Sequence, residues 1–223
     1  MRPIAELPPA KDRDLLMKRI EAIKGLAEEV DVPDSPLGKP SAHAIAVASL
    51  ALQAGLNPIA HIRIRDINLL ALKSLLGAAK LLGIRRVVPL MGDPPALGAP
   101  VDQLRTEDAV RAAKEEGLVV GAMLSMRRNY AERLKIGADF YLILNLRRPE
   151  DMEGLRGVEA YPYLLIRTSR NAELMARLGQ PSLSLEEVRR FLDALYSYGV
   201  KAVVVSAPGD FDAELAALGE FRR

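Results

Sequence analysis

The 223-residue chain contains no cysteine. That one absence excludes disulfides, thiolate nucleophiles, cysteine-ligated zinc and protein-held iron–sulfur clusters. Only two histidines, His43 and His61, are present, too few for a histidine-rich metal site. Net charge is small as well: 31 basic residues against 29 acidic ones leave +2, so there is no strong field to recruit nucleic acid or an anionic membrane. No run reaches the roughly eighteen apolar residues that a membrane span needs. The opening MRPIAELPPAKDRD lacks the apolar core of a secretory signal, so a cytoplasmic location is expected. Asn and Gln together number eight, and this scarcity, with abundant Leu, Arg and Glu, is the composition of a thermophilic protein.

What is present is apolar material for one core, 49% of the chain, which suits a single domain over residues 1–223. Short β-rich runs alternate with amphipathic stretches, the pattern of parallel strands joined by helices. Strands are expected at Pro3–Leu7, Val30–Pro33, Pro58–Ile64, Arg86–Met91, Leu118–Leu124, Ala138–Asn145, Glu159–Arg167 and Lys201–Ala207. Helices are expected at 11–27, 41–54, 68–82, 105–116, 127–136, 170–178, 184–198 and 211–221, with Ser41 and Asn68 as caps and Gly55 as a stop. A doubly wound open sheet would give the same alternation. The count of eight strands favours a (β/α)₈ TIM barrel. No linker or internal repeat interrupts the chain, although the proline-rich loop Gly92–Val101 is longer than a connection requires.

In such a barrel, polar residues at the C-terminal strand ends face a substrate. Those ends would carry Glu6 in AELPP, Asp34 in VDVPDSPLGKP, His61, Arg65, Asp66 and Asn68 in HIRIRDIN, and Asp93 in VVPLMGDPP. Taken singly, several have a plainer explanation. Asp66 and Asn68 suit a helix cap, Asp34 a turn, and His61 a hydrogen-bonded core imidazole. Asp93 is the stronger sign of a site, because Gly92 permits close backbone approach and two prolines stiffen the loop.

The run DSPLGKPSAHAIAVASLALQAGLNPIAHIRIRDINLLALKSLLGAAKLLGIRRVVPLMGDPP resembles the methylenetetrahydrofolate reductase family. It is closest to the version fused to homocysteine methyltransferases, in which an Asp-Ser-Pro segment, a His-x-x-x-Arg-Asp-x-Asn strand end and a Gly-Asp-Pro-Pro loop follow in this order. AELPP and LKIGADFYL match two further family segments. The resemblance covers roughly residues 4–95, continues more weakly to about 146 and returns at 195–208. It implies a TIM barrel of one-carbon metabolism and methionine biosynthesis that holds flavin adenine dinucleotide (FAD). NADH or NADPH would be the reductant, and a methylene-bearing folate or modified pterin would accept hydride. Family members are often oligomeric.

Carried over residue by residue, the resemblance makes Glu6 the general acid and Asp93 the loop aspartate that tunes the flavin electrostatically. It makes His61 a flavin-contacting histidine and lays the backbone at Leu90 against the isoalloxazine ring. Arg65, Asp66, Asn68 and Asn129 fall at cofactor-binding positions, and Arg133 stands where the family has a lysine. Departures lie in the second half. Ile143 and Leu144 replace a Thr-Gln pair whose glutamine grips the pterin, and AMLSMRRNY is shorter than its family counterpart. Asn145 would supply an amide from the next position only if a bulge turned it to the other face.

The alternatives are a non-catalytic or partner-dependent barrel that has lost pterin and flavin binding, and an unrelated barrel isomerase or lyase holding phosphate near Ser206–Asp210.

Overall fold

The computed structural model describes residues 1–128 and 130–222. Eight strands pair in parallel with both neighbours and close into a barrel in sequential order. They are β1 (Arg2–Glu6), β2 (Glu29–Val32), β3 (Asn57–Arg63), β4 (Arg86–Leu90), β5 (Val119–Ser125), β6 (Phe140–Leu144), β7 (Ala160–Leu165) and β8 (Ala202–Ser206). Each lies within about two residues of its expected place at either end. The surrounding helices are α1 (Arg13–Ile23), α2 (Ala44–Gln53), α3 (Leu69–Leu81), α4 (Thr106–Glu115), α5 (Tyr130–Leu134), α6 (Ala172–Leu178), α7 (Leu185–Ser197) and α8 (Phe211–Gly219). A 3₁₀ turn, Pro149–Leu155, joins β6 to β7, and both α6 and α7 lie between β7 and β8.

Because successive strand residues point to opposite faces, each strand divides between two cores. Ala5, Val30, Ala60, Ile62, Val87, Val120, Ile143 and Val205 meet the helices. Ile4, Ile59, Val88, Phe140, Leu142, Tyr163 and Val204 fill the barrel. Gly121 on β5 makes room for this filling: a Cβ there would stand 2.4 Å from the Phe140 ring. Burying each large apolar side chain contributes about 1.5–3 kcal/mol, and both strand faces draw on it.

The N-terminal end of the barrel is closed by charges that satisfy one another. Glu29 accepts from Arg2 at 2.7 Å and from Arg86 at 2.6 Å. The Arg2 guanidinium lies over the Tyr161 ring, and Glu159 joins Tyr161 to Lys201. No helix among the described residues is long and apolar enough to cross a membrane.

Local chemistry sets the helix starts. Asn68 caps α3 as expected, its Oδ1 accepting from the Ala71 N–H at 2.9 Å. The cap of α2 differs from expectation: His43, rather than Ser41, accepts from the Ile45 N–H through Nδ1, while the Ser41 hydroxyl donates to the Ala42 carbonyl. Pro40 leaves the chain extended at this point, so the helix starts at Ala44, beyond the reach of Ser41.

Candidate active site at the C-terminal mouth of the barrel

The alternation that turns Ile4 into the barrel also turns in Glu6, the last residue of β1. Glu6 is in register with Asp31 on β2. Asp31 is fully buried, and both its oxygens are engaged. Oδ1 lies 2.9 Å from His61 Nε2 on β3, and Oδ2 accepts from the Tyr163 hydroxyl on β7. Ser206 at the end of β8 and Glu214 in the first turn of α8 complete a buried polar cluster.

Proximity and desolvation load this cluster with protons. Burial, then the charge of Asp31, pushes the Glu6 carboxyl up to about 7, while the Ser206 hydroxyl and His61 pull it back. Glu214 stands well above the carboxylate range, through burial first and then Glu6. Tyr163 is likewise raised by burial, then by Asp31 and Glu6. For His61, burial alone would favour the neutral ring, but Asp31, Glu6 and Asp34 outweigh it and raise its pKa. A carboxylic acid that titrates near neutrality beside a hydrogen-bonded imidazole can donate or accept a proton at physiological pH. Among the described residues, no group of three or more His, Asp or Glu forms a metal-ion site.

Beside this cluster, two loops are joined over β3. Asp34 accepts from the Arg63 backbone N–H at 2.9 Å, and the buried Arg63 side chain reaches Asp66 at 2.6 Å and the Asp93 carbonyl at 2.9 Å. Asp93 itself is exposed, with Oδ2 accepting from the Leu37 N–H at 3.1 Å. Gly38 has φ 70° and leaves no room for a Cβ, which would stand 2.0 Å from the Pro94 carbonyl oxygen; its own carbonyl accepts from Ala96.

The expected site residues therefore separate. Glu6 and His61 meet through Asp31, and Leu90 packs against the inner core in register with Arg63. Arg65 and Asp66 follow β3; Arg65 Nε is buried without a hydrogen bond, 3.9 Å from Asp102 Oδ1, and Asp66 Oδ1 is buried and unpartnered. Asp93 stands at the same end of the barrel but faces the β2–α2 loop. Asn68 is committed to its helix cap. Arg133 donates to the Met123 carbonyl at 3.0 Å and lies 3.6 Å from Glu107, so it braces β5 against α4. Asn129 lies outside the described residues.

Leu144 packs on the inner core as its position requires. Asn145 reaches the same face without a bulge. Its φ of 61° swings the side chain round, Nδ2 donates to Ser125 Oγ at 3.0 Å, and Oδ1 is left buried and unpartnered.

Asp31, Tyr163 and Glu214 were not anticipated from sequence, and Ser206 only as one end of a phosphate-holding segment. An acid in the middle of the β-rich run EVDV was the available signal for Asp31.

The flavin implied by the resemblance can be tested against these groups. Arg65 Nε, which makes no hydrogen bond and has only a long 3.9 Å ion pair to Asp102, and the unpartnered acceptor at Asp66 suit a heteroaromatic edge that carries both acceptors and an N–H, so the end of β3 fits a flavin. Asn68 and Arg133 do not contribute to that set. The phosphate alternative near Ser206–Asp210 is not supported, because the Asp210 carboxylate already occupies the α8 N-terminus, accepting from Ala213 and Thr168. A cavity of about 360 Å³ opens at the opposite end of the barrel, but its charged residues Glu159, Lys201 and Arg156 are all paired.

Known proteins bear on this geometry. No curated protein matches the chain in sequence. By structure, it is similar over 98% of its length to an uncharacterized protein from Clostridium thermocellum that binds two copies of 5-methyl-5,6,7,8-tetrahydrofolic acid. That match has 12% identity, covers 92% of the other chain and has a TM-score of 0.67. The Bacillus cereus spore cortex-lytic enzyme SleL aligns with 98% of this chain and 74% of its own, at 13% identity and a TM-score of 0.64. Likenesses this remote speak to the barrel alone. The sequence profile of methylenetetrahydrofolate reductase, however, matches residues 7–148, a span that takes in β2 to β6 and both joined loops. With well over half of its length so matched, the chain belongs to the methylenetetrahydrofolate reductase family.

Proposed function

We propose that this protein is a methylenetetrahydrofolate reductase-type oxidoreductase, with FAD as its bound cofactor and NADH or NADPH as reductant, acting on a methylene-bearing folate or modified pterin. The observation that carries the reading is Glu6, an inward-facing acid whose carboxyl titrates near 7 at the mouth of a barrel of this family. Opening the five-membered ring of a methylene-folate requires a proton at nitrogen, and Glu6 is placed and protonated to give it. Bound FAD would supply hydride; Arg65 Nε and Asp66 Oδ1 would hold it, with Leu90 beside them. Asp93 adds negative charge from the rim, favouring a cationic substrate. Asn145 Oδ1, buried and unpartnered, accepts from the amino-pyrimidine edge of the pterin in place of the family's glutamine. That a fold neighbour binds 5-methyl-5,6,7,8-tetrahydrofolic acid is in keeping with a folate-type ligand.

The test is anaerobic. FAD and reduced nicotinamide are added, bleaching of the flavin band is followed, and methylenetetrahydrofolate is then supplied. Reoxidation in the parent and its loss in Glu6→Gln, with bleaching intact, is the expected result; equal reoxidation in both removes Glu6 from the reaction. One observation favours a second reading, a pterin-binding barrel without reductase activity, acting alone or as a subunit: Leu144 replaces the residue that grips the pterin. Colourless protein that takes up no FAD but binds 5-methyltetrahydrofolate would establish it.

A further inference from the structure

We propose that Asp31 is a positioning residue: by anchoring His61 through one oxygen and Tyr163 through the other, it fixes a single negative charge opposite Glu6 across the β1–β2 pair. This rests on the reading of Glu6 as the acid, and deepens it by naming what keeps that acid loaded.

The first support is the cost of the residue. Ile59, the register partner of Asp31 on β3, is apolar, as are the inward-facing Ile4 on β1 and Val204 on β8. A fully buried carboxylate among them costs several kcal/mol unless hydrogen bonds offset it. Both oxygens are so offset, by groups from two strands that are not sequence neighbours. Tyr163 donates its proton and His61 donates from Nε2, so each ring is held by the acid between them.

The second support is the set of groups facing Glu6. These are Asp31 from β2, His61 from β3, Tyr163 from β7, Ser206 from β8 and Glu214 from α8. Tyr163 and Glu214 are both raised well above their ordinary ranges, by burial first, which favours their neutral forms. Ser206 and His61 favour the ionised form of Glu6. Asp31 is left as the fixed charge that opposes ionisation. Adjacent strands lie about 4.8 Å apart, and a like charge at that separation raises a carboxyl by an amount of the order of one pH unit or more.

The experiment uses the full chain and reads Glu6 directly. The carboxylic-acid C=O stretch of Glu6 is identified by infrared difference spectroscopy as the band missing in Glu6→Gln, and its titration is followed in the parent and in Asp31→Asn. The midpoint is expected to move down by about one pH unit. In the anaerobic assay, the alkaline limb of folate-dependent reoxidation should move with it, so that kcat falls roughly tenfold near pH 8 and recovers near pH 6. KM and flavin bleaching should change little. A midpoint that stays in place or rises would overturn the proposal, as would a loss of rate equal at every pH, which is the mark of a merely structural residue. If Asp31→Asn does not fold, His61→Gln serves instead: its amide keeps the hydrogen bond but cannot carry a positive charge, and the Glu6 band should titrate higher. An unmoved band in that variant would also refute the inference. Because the band needs neither flavin nor folate, failure of the reductase reading leaves this result legible. A normal reaction with an unmoved band would sink Asp31 alone.

Discussion

Replacing Glu6 by Gln should make the protein more stable, by an amount that depends on pH. Glu6 holds its proton more tightly in the folded chain than in the unfolded one, since folding raises its carboxyl from 4.5 to about 7. Where both states are protonated, below about pH 4.5, the residue does not weaken the fold. As pH rises, the unfolded chain ionises first, and folding must either retain a proton or place a charge beside Asp31. Stability is therefore lost progressively between these two values, and the loss levels off once the folded carboxyl has also ionised. A shift of this size corresponds to about 3 kcal/mol, at roughly 1.4 kcal/mol per pH unit. Solvent reaching the half-buried carboxyl makes this an upper figure. Glutamine has the shape of the protonated acid and does not ionise, so the variant escapes the loss. Urea denaturation of both proteins at pH 5, 7 and 9 measures the difference. It should widen in favour of Glu6→Gln from pH 5 to 9 by up to about 3 kcal/mol, equivalent to several degrees in Tm for a chain of this size. A gap that is constant across the three pH values would refute the reasoning, because an altered hydrogen bond or packing contact carries no pH dependence. The same variant is expected to lose the acid-dependent step, as when a site holds an unfavourable group for the sake of its chemistry.

Two further substitutions test the rim. Asn145→Gly keeps the left-handed backbone without strain and removes only the amide. Stability should change by less than about 1 kcal/mol while calorimetric affinity for 5-methyltetrahydrofolate falls roughly tenfold or more, the worth of one or two buried hydrogen bonds; undiminished affinity would show that Asn145 does not touch the pterin. Gly38→Ala places a methyl group against the Pro94 carbonyl and should part the two loops, costing roughly 1–3 kcal/mol and speeding proteolytic cleavage within residues 92–101. Cleavage at the parent rate would mean that the loops are not held together at this point.

The barrel was legible because its strands are short, largely apolar runs buried on both faces, most plainly the β-branched AVVVS of β8, and such runs show clearly against amphipathic helices. Helix ends were less so. The expected 11–27 stops at Ile23, ahead of Gly25 with φ 83°, and the expected 127–136 contracts to Tyr130–Leu134. Glu6 and His61 were found because position along a parallel strand translates directly into position at the barrel mouth. Asp31 was missed because an acid within a β-rich run reads as a solvent-facing alternate. Here Glu29 and Asp31 share the inner face, one closing the floor and the other bracing the mouth. Tyr163, Ser206 and Glu214 join Glu6 only because β8 closes on β1, a contact between chain ends that no local pattern announces. The role of Asn145 turns on a single φ angle, and the orientation of Asp93 on the path of a ten-residue loop.

The two ends of the barrel obey different rules. At the floor, Arg2, Glu29, Arg86 and Tyr161 on four strands, with Glu159 and Lys201 just ahead of β7 and β8, satisfy one another. At the mouth, Arg65 Nε, Asp66 Oδ1, Asn145 Oδ1 and Glu214 Oε1 are buried and make no hydrogen bond. Each costs on the order of 1–3 kcal/mol while unsatisfied, and together they approach the net stability of an ordinary domain. Folding alone gives no reason to gather them at one end, since apolar residues of similar size would fit the same positions. A ligand carrying both donors and acceptors does give a reason. The groups that weaken the apoprotein here are those a polar heterocycle would satisfy, and the paired floor supplies stability at the end where no chemistry takes place.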